Sequence, residues 1–405
     1  MSLFSFLKTS QEEFAIVLEI GSGSIGGTLV RFSHKTKPEI FYGTRQQISF
    51  QRELSSDELT KQMVVTLDKV CSLIQKEGLT RFSSGQYHNF KITKVYVILS
   101  SPWCLTQTKI VDYNPGQEFF TDKKFLNKLY KDQEALVLAE SQKSLNNIAQ
   151  GIKIIENSTI QIRLNGYQVV DILNRRAKTL TLATLVTAAP EEILNKITET
   201  TRKHFSLSGV GYYSFGLTSF TVARDFYPEK ESFIFMDLSS ELTELSMVRD
   251  EVLMAGTTFP LGRNHFVRHL AEGLSVSVEE AFSLLNIYHS NNLDAEFTKK
   301  VESILDQAMV VWSKAMSETL ERLSKEIYIP RTIFKVTNDD FGYYFAKKLS
   351  EVTFSQMGFT DERFNVVAFD RKVASSRCDV SFSAKVDTFM YINCLFLNKL
   401  YNLKK

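Results

Sequence analysis

The sequence predicts an α/β fold in which one architecture is used twice, with a small α+β insertion in the first half. Three observations carry this. Residues 14–20 and 233–238 are continuous β-prone apolar runs, each ending in a polar turn that is followed by further strand-like sequence. Each half then alternates helix and strand, the pattern of a mixed sheet with helices on its faces. Residues 101–188 interrupt that alternation with strands of their own and one polar helix.

Taken in order, residues 14–20 read as a buried strand because they carry no polar alternation until Glu19 and stop at a glycine cluster. Strand character resumes over 28–32 and again over 38–42. Ser55-Ser-Asp-Glu58 offers a cap, and Leu59, Met63, Leu67, Val70 and Leu73 recur at helical spacing. Residues 94–100 form the next buried strand. In the insertion, a strand over 106–111 precedes a polar helix over 122–139. Two strand-like runs follow, 159–164 and 180–186, and the Asn165-Gly166 turn after the first favours a hairpin. A helix opening at Ala189-Pro190-Glu-Glu and a Gly-rich strand region over 209–216 return to the first half.

The second half reads as strands over 233–238, 243–248 and 252–258, then helices over 265–272, 278–288 and 297–327. A late strand over 332–336 leads into Asn338-Asp339-Asp340 and a further helix. The expected division is an N-terminal segment 1–13, a first half 14–100 and 189–228, an insertion 101–188, a second half 229–385 and a C-terminal helix 386–405. In that last helix Phe389, Ile392, Leu395, Phe396 and Leu400 share one face, which suits packing on the core or lying on a membrane surface.

Composition narrows the function classes. The chain has 405 residues with 48 Lys+Arg against 46 Asp+Glu, and its 43% hydrophobic content is that of a globular protein. A net charge of +2 gives no footprint for nucleic acid or for acidic lipid over the chain as a whole. Cys71, Cys104, Cys378 and Cys394 are far apart, the usage of a reducing compartment where thiols serve as small core residues. The N-terminus is charged too early for a signal peptide, and the longest apolar run, 390–397, falls short of the ~20 residues a membrane span needs. The expectation is a soluble, cytoplasmic chain, with Phe4, Phe6 and Leu7 as candidate membrane-contact residues at its start. With only 18 Gly, it has few glycine turns to hold phosphates.

Gly21-Ser-Gly23-Ser-Ile-Gly26 matches the dinucleotide fingerprint, but that chemistry needs a helix opening at the glycines, whereas Thr28 to Phe32 read as strand. The acid near the right distance, Glu39, precedes its strand instead of ending it. His265 and His269 have ligand spacing, yet Phe266 stands where a metalloprotease helix needs Glu, so both read as structural. There is no Gly-x-Ser-x-Gly elbow for a serine hydrolase. Asn157-Ser-Thr159 is a sequon without consequence in a cytoplasmic chain, and Lys299-Lys300 and Lys347-Lys348 read as solvated helix faces.

A strand–turn–strand hairpin is the other way a backbone holds phosphate, by aiming turn amides at it. Two such hairpins, at residues 19–26 and 237–243, make the chain resemble the actin-like ATPase superfamily, nearest to its FtsA-like cell-division and PilM-like type IV pilus branches. Leu18-Glu-Ile-Gly-Ser-Gly-Ser-Ile25 is similar to the first phosphate loop, and Met236-Asp-Leu-Ser-Ser-Glu-Leu-Thr-Glu-Leu245 to the second. Asp250-Glu-Val-Leu253 and Phe259-Pro-Leu-Gly-Arg-Asn-His-Phe266 are similar to the next hairpin and helix start. Arg163-Leu-Asn-Gly-Tyr-Gln-Val-Val-Asp171 resembles the insertion domain, with Ala177-Lys-Thr-Leu-Thr-Leu182 after it. The resemblance implies two ribonuclease-H-like halves facing across a cleft. It implies Mg-ATP as cofactor, held by Glu19, Gly21, Ser22, Gly23, Ser24, Asp237, Ser239, Ser240 and Thr243, with Asp237 positioning Mg²⁺. Implied partners are division-ring or pilus proteins, with peripheral membrane contact and self-association.

The loops depart from the family pattern. Glu19 stands where an Asp holds Mg²⁺ through water, and Mg²⁺ geometry is strict. Gly26 leaves no side chain where some relatives carry Lys. Ser239, Ser240 and Glu241 replace three glycines, and Leu242 replaces Thr. A Glu241 carboxylate about 4 Å from a phosphate would cost roughly 4 kcal/mol at an effective dielectric near 20, unless it turned away. Phe282 and Leu285 take the place of polar nucleoside contacts, and residues 336–340 lack the Gly-Gly turn under the adenosine. The expectation is therefore a degenerate ATPase serving as a scaffold. A working ATP switch that polymerises is the alternative, and a dinucleotide enzyme the third reading.

Overall fold

Strand β1 (Glu12–Ile20) is buried over its last six residues and pairs antiparallel with β2 (Ser24–Ser33), which pairs antiparallel with β3 (Glu39–Gln47). On the other side of β1, β4 (Lys94–Leu99) and β11 (Gly209–Ser214) add in parallel. In the second half β12 (Phe233–Leu238), β13 (Thr243–Arg249) and β14 (Val252–Phe259) form the meander, and β15 (Thr332–Val336) and β16 (Asn365–Ala368) add in parallel. The two orders, β3-β2-β1-β4-β11 and β14-β13-β12-β15-β16, are the same ribonuclease-H-like order. The computed structural model that shows this describes residues 12–49, 55–80, 92, 94–145, 151–206, 208–290, 292–325, 328–336, 342–351, 363–369, 371–382 and 384–403. Phe4, Phe6 and Leu7, and the 337–340 turn, lie outside them.

Helices cover both sheets because each sheet is apolar on two faces. Ser55 caps the helix Ser56–Leu73, accepting the Glu58 amide at 3.2 Å. That helix and Glu191–His204 bury Met63, Leu67, Val70, Ile193 and Ile197 against Ile16, Leu18 and Leu99. The outer face of the second sheet lies under the helices Arg263–Leu274, Val278–His289, Ala295–Ser324 and Gly342–Glu351, with Trp312 fully buried among them. The helices Phe215–Phe226 and Thr388–Leu403 share a third core with both sheets, in which Phe215, Phe389, Ile392 and Phe396 meet Val17, Phe32, Phe235 and Phe334.

The sequence reading departs from the structure in two places. Residues 209–216 are not one strand region: β11 ends at Ser214, which caps Phe215–Phe226 by accepting the Leu217 amide. Gly216 lies in that helix, among apolar residues dense enough to read as strand. The expected second half, to residue 385, also ends too late. β17 (Asp379–Val380) pairs with β3, so the chain has rejoined the first sheet before the last helix. That helix lays its apolar face on the core: Phe389, Met390, Ile392, Phe396 and Leu397 are all buried.

The insertion is a sheet of β5 (Leu105–Tyr113), β10 (Leu180–Pro190), β7 (Ile152–Leu164) and β8 (Tyr167–Gln168), all antiparallel, with the helix Lys123–Leu145 packed on it. Asn165 and Gly166 turn the β7–β8 hairpin with φ of 52° and 84°, the left-handed pair a two-residue turn needs. Two short strands, β6 (Phe119–Phe120) and β9 (Arg176–Ala177), close its far end.

Glu156 on β7 ties the insertion to the first half. Its Oε2 accepts Ser214 Oγ at 2.6 Å, the Ser214 amide at 3.3 Å and Thr187 Oγ1 at 3.1 Å, while Oε1 is buried without a partner among the described residues. Burial pushes its pKa up to about 7, against the pull of the Ser214 and Thr187 hydrogen bonds. The folded chain thus holds this proton more tightly than the unfolded chain. Its contribution is complete below the ordinary value of 4.5 and is lost as pH rises to about 7. Stability to urea should fall by on the order of 3 kcal/mol across that window, and Glu156→Gln should flatten the fall. A wild-type curve without it would refute the assignment.

Candidate functional site

The two turns expected to cradle phosphate form opposite sides of one contact. In the first, the Gly21 amide donates to the Ser24 carbonyl at 3.1 Å, Trp103 Nε1 to the Gly21 carbonyl at 2.8 Å and the Ile48 amide to the Gly23 carbonyl at 2.8 Å. β2 begins at Ser24, so no helix opens at the glycines and the dinucleotide reading is overturned.

Glu19, Gly26 and Arg45 form a cross-strand row, Glu19 opposite Gly26 and Gly26 opposite Arg45. A Cβ on Gly26 would lie 2.7 Å from Arg45 Nη2, so the missing side chain is what lets the guanidinium cross the strand. Arg45 Nη1 donates to Glu19 Oε2 at 2.6 Å and to Ser24 Oγ at 2.8 Å. Its Nε and Nη2 donate to Asp387 at 2.6 and 3.2 Å, with the Phe389 ring 5.3 Å away. Asp387 also accepts the Met390 amide at 3.0 Å, at the start of the helix Thr388–Leu403. Burial opposes the Arg45 charge, but Asp387 and Glu19 outweigh it and hold its pKa above the usual range. Burial pushes the Glu19 carboxyl up, and Arg45 pulls against it. A protein cation thus faces the acid that would have faced a metal.

In the second turn Asp237 is buried, its Oδ2 accepting Ser239 Oγ at 3.1 Å and its Oδ1 without a partner among the described residues. Burial first, then Glu244 and Glu19, push its pKa well above the carboxylate range. Thr243, expected at a phosphate, instead donates to the Leu261 carbonyl at 2.6 Å and accepts from Trp312 Nε1 at 3.0 Å. Glu241 has turned away: Arg268 Nη2 donates to it at 2.8 Å and Asn264 Nδ2 at 2.6 Å. The repulsion expected from its charge is therefore absorbed within the second half.

What closes the site is contact. Ser22 Oγ accepts the Glu241 amide at 3.2 Å across the halves, and a Cβ on Gly23 would overlap the Ser240 side chain. Arg263, buried, donates to Gln47 Oε1 at 3.1 Å, and the Ser101 amide to Glu244 at 3.4 Å. On the nucleoside side the Arg263 guanidinium lies 4.9 Å from the Phe282 ring centroid, and Leu285 is buried. Glu280 closes a capping box with Ser277. Mg-ATP does not fit these residues: its phosphates would need the space that Ser240 and Gly23 fill, and the Ser22 hydroxyl and Glu241 amide are bonded to each other.

Sequence reasoning gathered the right turns and missed what joins them. Arg45, Arg263 and Asp387 carry no motif. The one available signal was Gly26, a strand glycine opposite the acid Glu19. Among the described residues no cluster of three or more His, Cys, Asp or Glu could hold a metal. His265 Nε2 lies 3.0 Å from the Ala308 carbonyl and His269 Nδ1 3.1 Å from the His265 carbonyl, which is the structural role expected. All four cysteines are buried and free, and no described helix is long and apolar enough to cross a membrane.

A second candidate site lies beside β11, the edge of its sheet among the described residues. A cavity of about 410 Å³ runs between it and β7, lined by Ile154, Ile155, Leu194, Thr198, Val210 and Tyr212. An open strand edge offers unpaired main-chain groups to an extended peptide.

No family model and no curated protein sequence matches the chain. Among solved structures it is similar to one described as the PilM–PilN type IV pilus biogenesis complex, at 13% identity and a TM-score of 0.62, covering 96% of this chain and 98% of that one. The fold is actin-like. More distant likenesses are the ethanolamine utilization protein EutJ from Carboxydothermus hydrogenoformans (10% identity, TM-score 0.42, 96% and 89% covered) and a Bacteroides thetaiotaomicron protein with an actin-like ATPase fold (8%, 0.32, 68% and 82%). Within this actin-like fold the two turns that follow β1 and β12 make contacts to each other.

Arg45→Met should destabilise the chain by about 3–5 kcal/mol, because it leaves two carboxylates without their cation. Gly26→Ala should cost about 1–3 kcal/mol in the wild type by crowding Arg45, and less in the Arg45→Met background. Denaturation of the four chains gives both numbers, and strict additivity would contradict the cross-strand row.

Proposed function

We propose that this chain is a PilM-like scaffold that has given up ATP and acts by holding protein partners beneath a membrane. The observation that carries the reading is the direct seating of one phosphate turn on the other, Gly23 on Ser240 and Ser22 on the Glu241 amide. A cleft joined in this way has no room to open and close on a triphosphate, and ATP-driven polymerisation goes with it. The similar structure is of a complex between PilM and PilN, which favours pilus assembly over a division-ring role. The groove beside β11 is where an extended partner segment would add, its main chain on the strand edge and its apolar side chains between Leu194 and Val210.

Titrating the chain with Mg-ATP should give no saturable heat and leave the melting temperature unchanged, since a ligand at 100 times its Kd would add about 2.7 kcal/mol. Saturable micromolar binding would establish the switch reading instead. Val210→Arg should abolish capture of the partner from the native host while leaving the melting curve unchanged. Undiminished capture would place the partner elsewhere.

A further inference from the structure

The far end of the insertion presents apolar side chains to solvent on a rigid base. By strand register this end gathers the close of β5, the turn between β7 and β8, and the start of β10, since Leu180 faces both Tyr113 and Leu164. There Tyr167 is 78% exposed, Val170 fully exposed, Phe120 49% and Leu173 45%. Single exposed apolar residues need no explanation, but four on adjoining segments of one small subdomain do.

These residues are held in place. Thr121, fully buried, donates its amide to the Arg175 carbonyl at 2.9 Å and accepts the Asn174 amide on its carbonyl at 2.9 Å. Its hydroxyl donates to the Ile172 carbonyl and accepts the Arg175 amide at 3.0 Å. Asp171 accepts the Leu173 amide at 2.9 Å, and Asn165 Oδ1 the Lys178 amide at 2.7 Å. The loop between β8 and β9 is thus tied down on both sides while Val170 and Leu173 stay in water.

The surrounding charge is basic. Residues 112–124 and 163–178 hold six Lys and Arg against Asp112, Glu118, Asp122 and Asp171, a local excess of two in a chain whose whole net charge is +2. Arg175, Arg176, Lys178, Lys123 and Lys124 are all exposed. Exposed apolar side chains with exposed cations on the same and adjoining segments match a surface that deforms around them and carries negative charge. We infer that this end of the insertion rests on an anionic lipid bilayer, with Tyr167, Val170 and Leu173 entering the interface and the basic residues facing headgroups. The inference stands apart from the nucleotide question and from the groove beside β11.

The test is co-sedimentation of the full chain with vesicles of phosphatidylcholine alone and of phosphatidylcholine mixed with phosphatidylglycerol. The chain should sediment with the mixed vesicles, less so as salt is raised, and remain in solution with phosphatidylcholine alone. Val170→Asp and the pair Arg175→Glu with Arg176→Glu should each weaken binding about tenfold or more. All three positions are exposed, so unchanged melting curves will show that these chains fold. Three outcomes overturn the inference. One is no binding to mixed vesicles, and another is wild-type binding by the altered chains. The third is loss of binding only when Phe4, Phe6 and Leu7 are changed to Ser, which assigns the contact to the N-terminal segment.

Discussion

The structure depends on one partly buried cation bonded to two carboxylates. Arg45 lies where two carboxylates, Glu19 and Asp387, would otherwise face each other under a lid of apolar side chains. Charges taken out of water are costly unless geometry and hydrogen bonds compensate, and here every donor direction toward them is used. Because Arg45 reaches β1 through the gap at Gly26 and the last helix through Asp387, a single guanidinium joins the first turn, the first sheet and the C-terminal segment.

The second half meets this fixed first turn with an equally committed surface. Ser240 fits against Gly23 because Arg263 and Asn264 hold the backbone behind it, their amides donating to the Ser239 and Ser240 carbonyls at 2.9 and 2.8 Å. Gly262 has no side chain because one would strike those same carbonyls. The apolar core shared by both sheets lies on one side of the contact and the Arg263–Phe282 pair on the other. The two turns thus meet through Ser22 and the Glu241 amide and through Gly23 and the Ser240 side chain.

Much of this was legible before any coordinates. Residues 14–20 and 233–238 announced two equivalent central strands because both are apolar without alternation, and strands buried on two faces need nothing else. The Asn165-Gly166 hairpin and the Ser55 cap were readable because turn and cap chemistry is local. What the sequence hid is non-local. Phe215 and Gly216 looked like the end of a strand because they follow β-prone residues, yet they open a helix whose apolar residues pack between two sheets, and that burial overrides propensity. Glu241 looked like a phosphate repellent because Arg268, its partner, sits 27 positions away on a helix whose direction no pattern announces. Arg45 was invisible for the same reason, its two acids lying 26 residues before and 342 residues after it.

The path of the chain sets the order in which it can be made. The sheet laid down by residues 12–47 and 94–99 has one apolar face closed by residues 388–403, and its Arg45 charge is matched by Asp387. During synthesis on the ribosome that face stays open until residues 388–403 have emerged, while the second half, whose outer core draws on residues 234–366, can close earlier. The first sheet therefore precedes the second in translation and follows it in maturation, and a chaperone has reason to attend it in the interval.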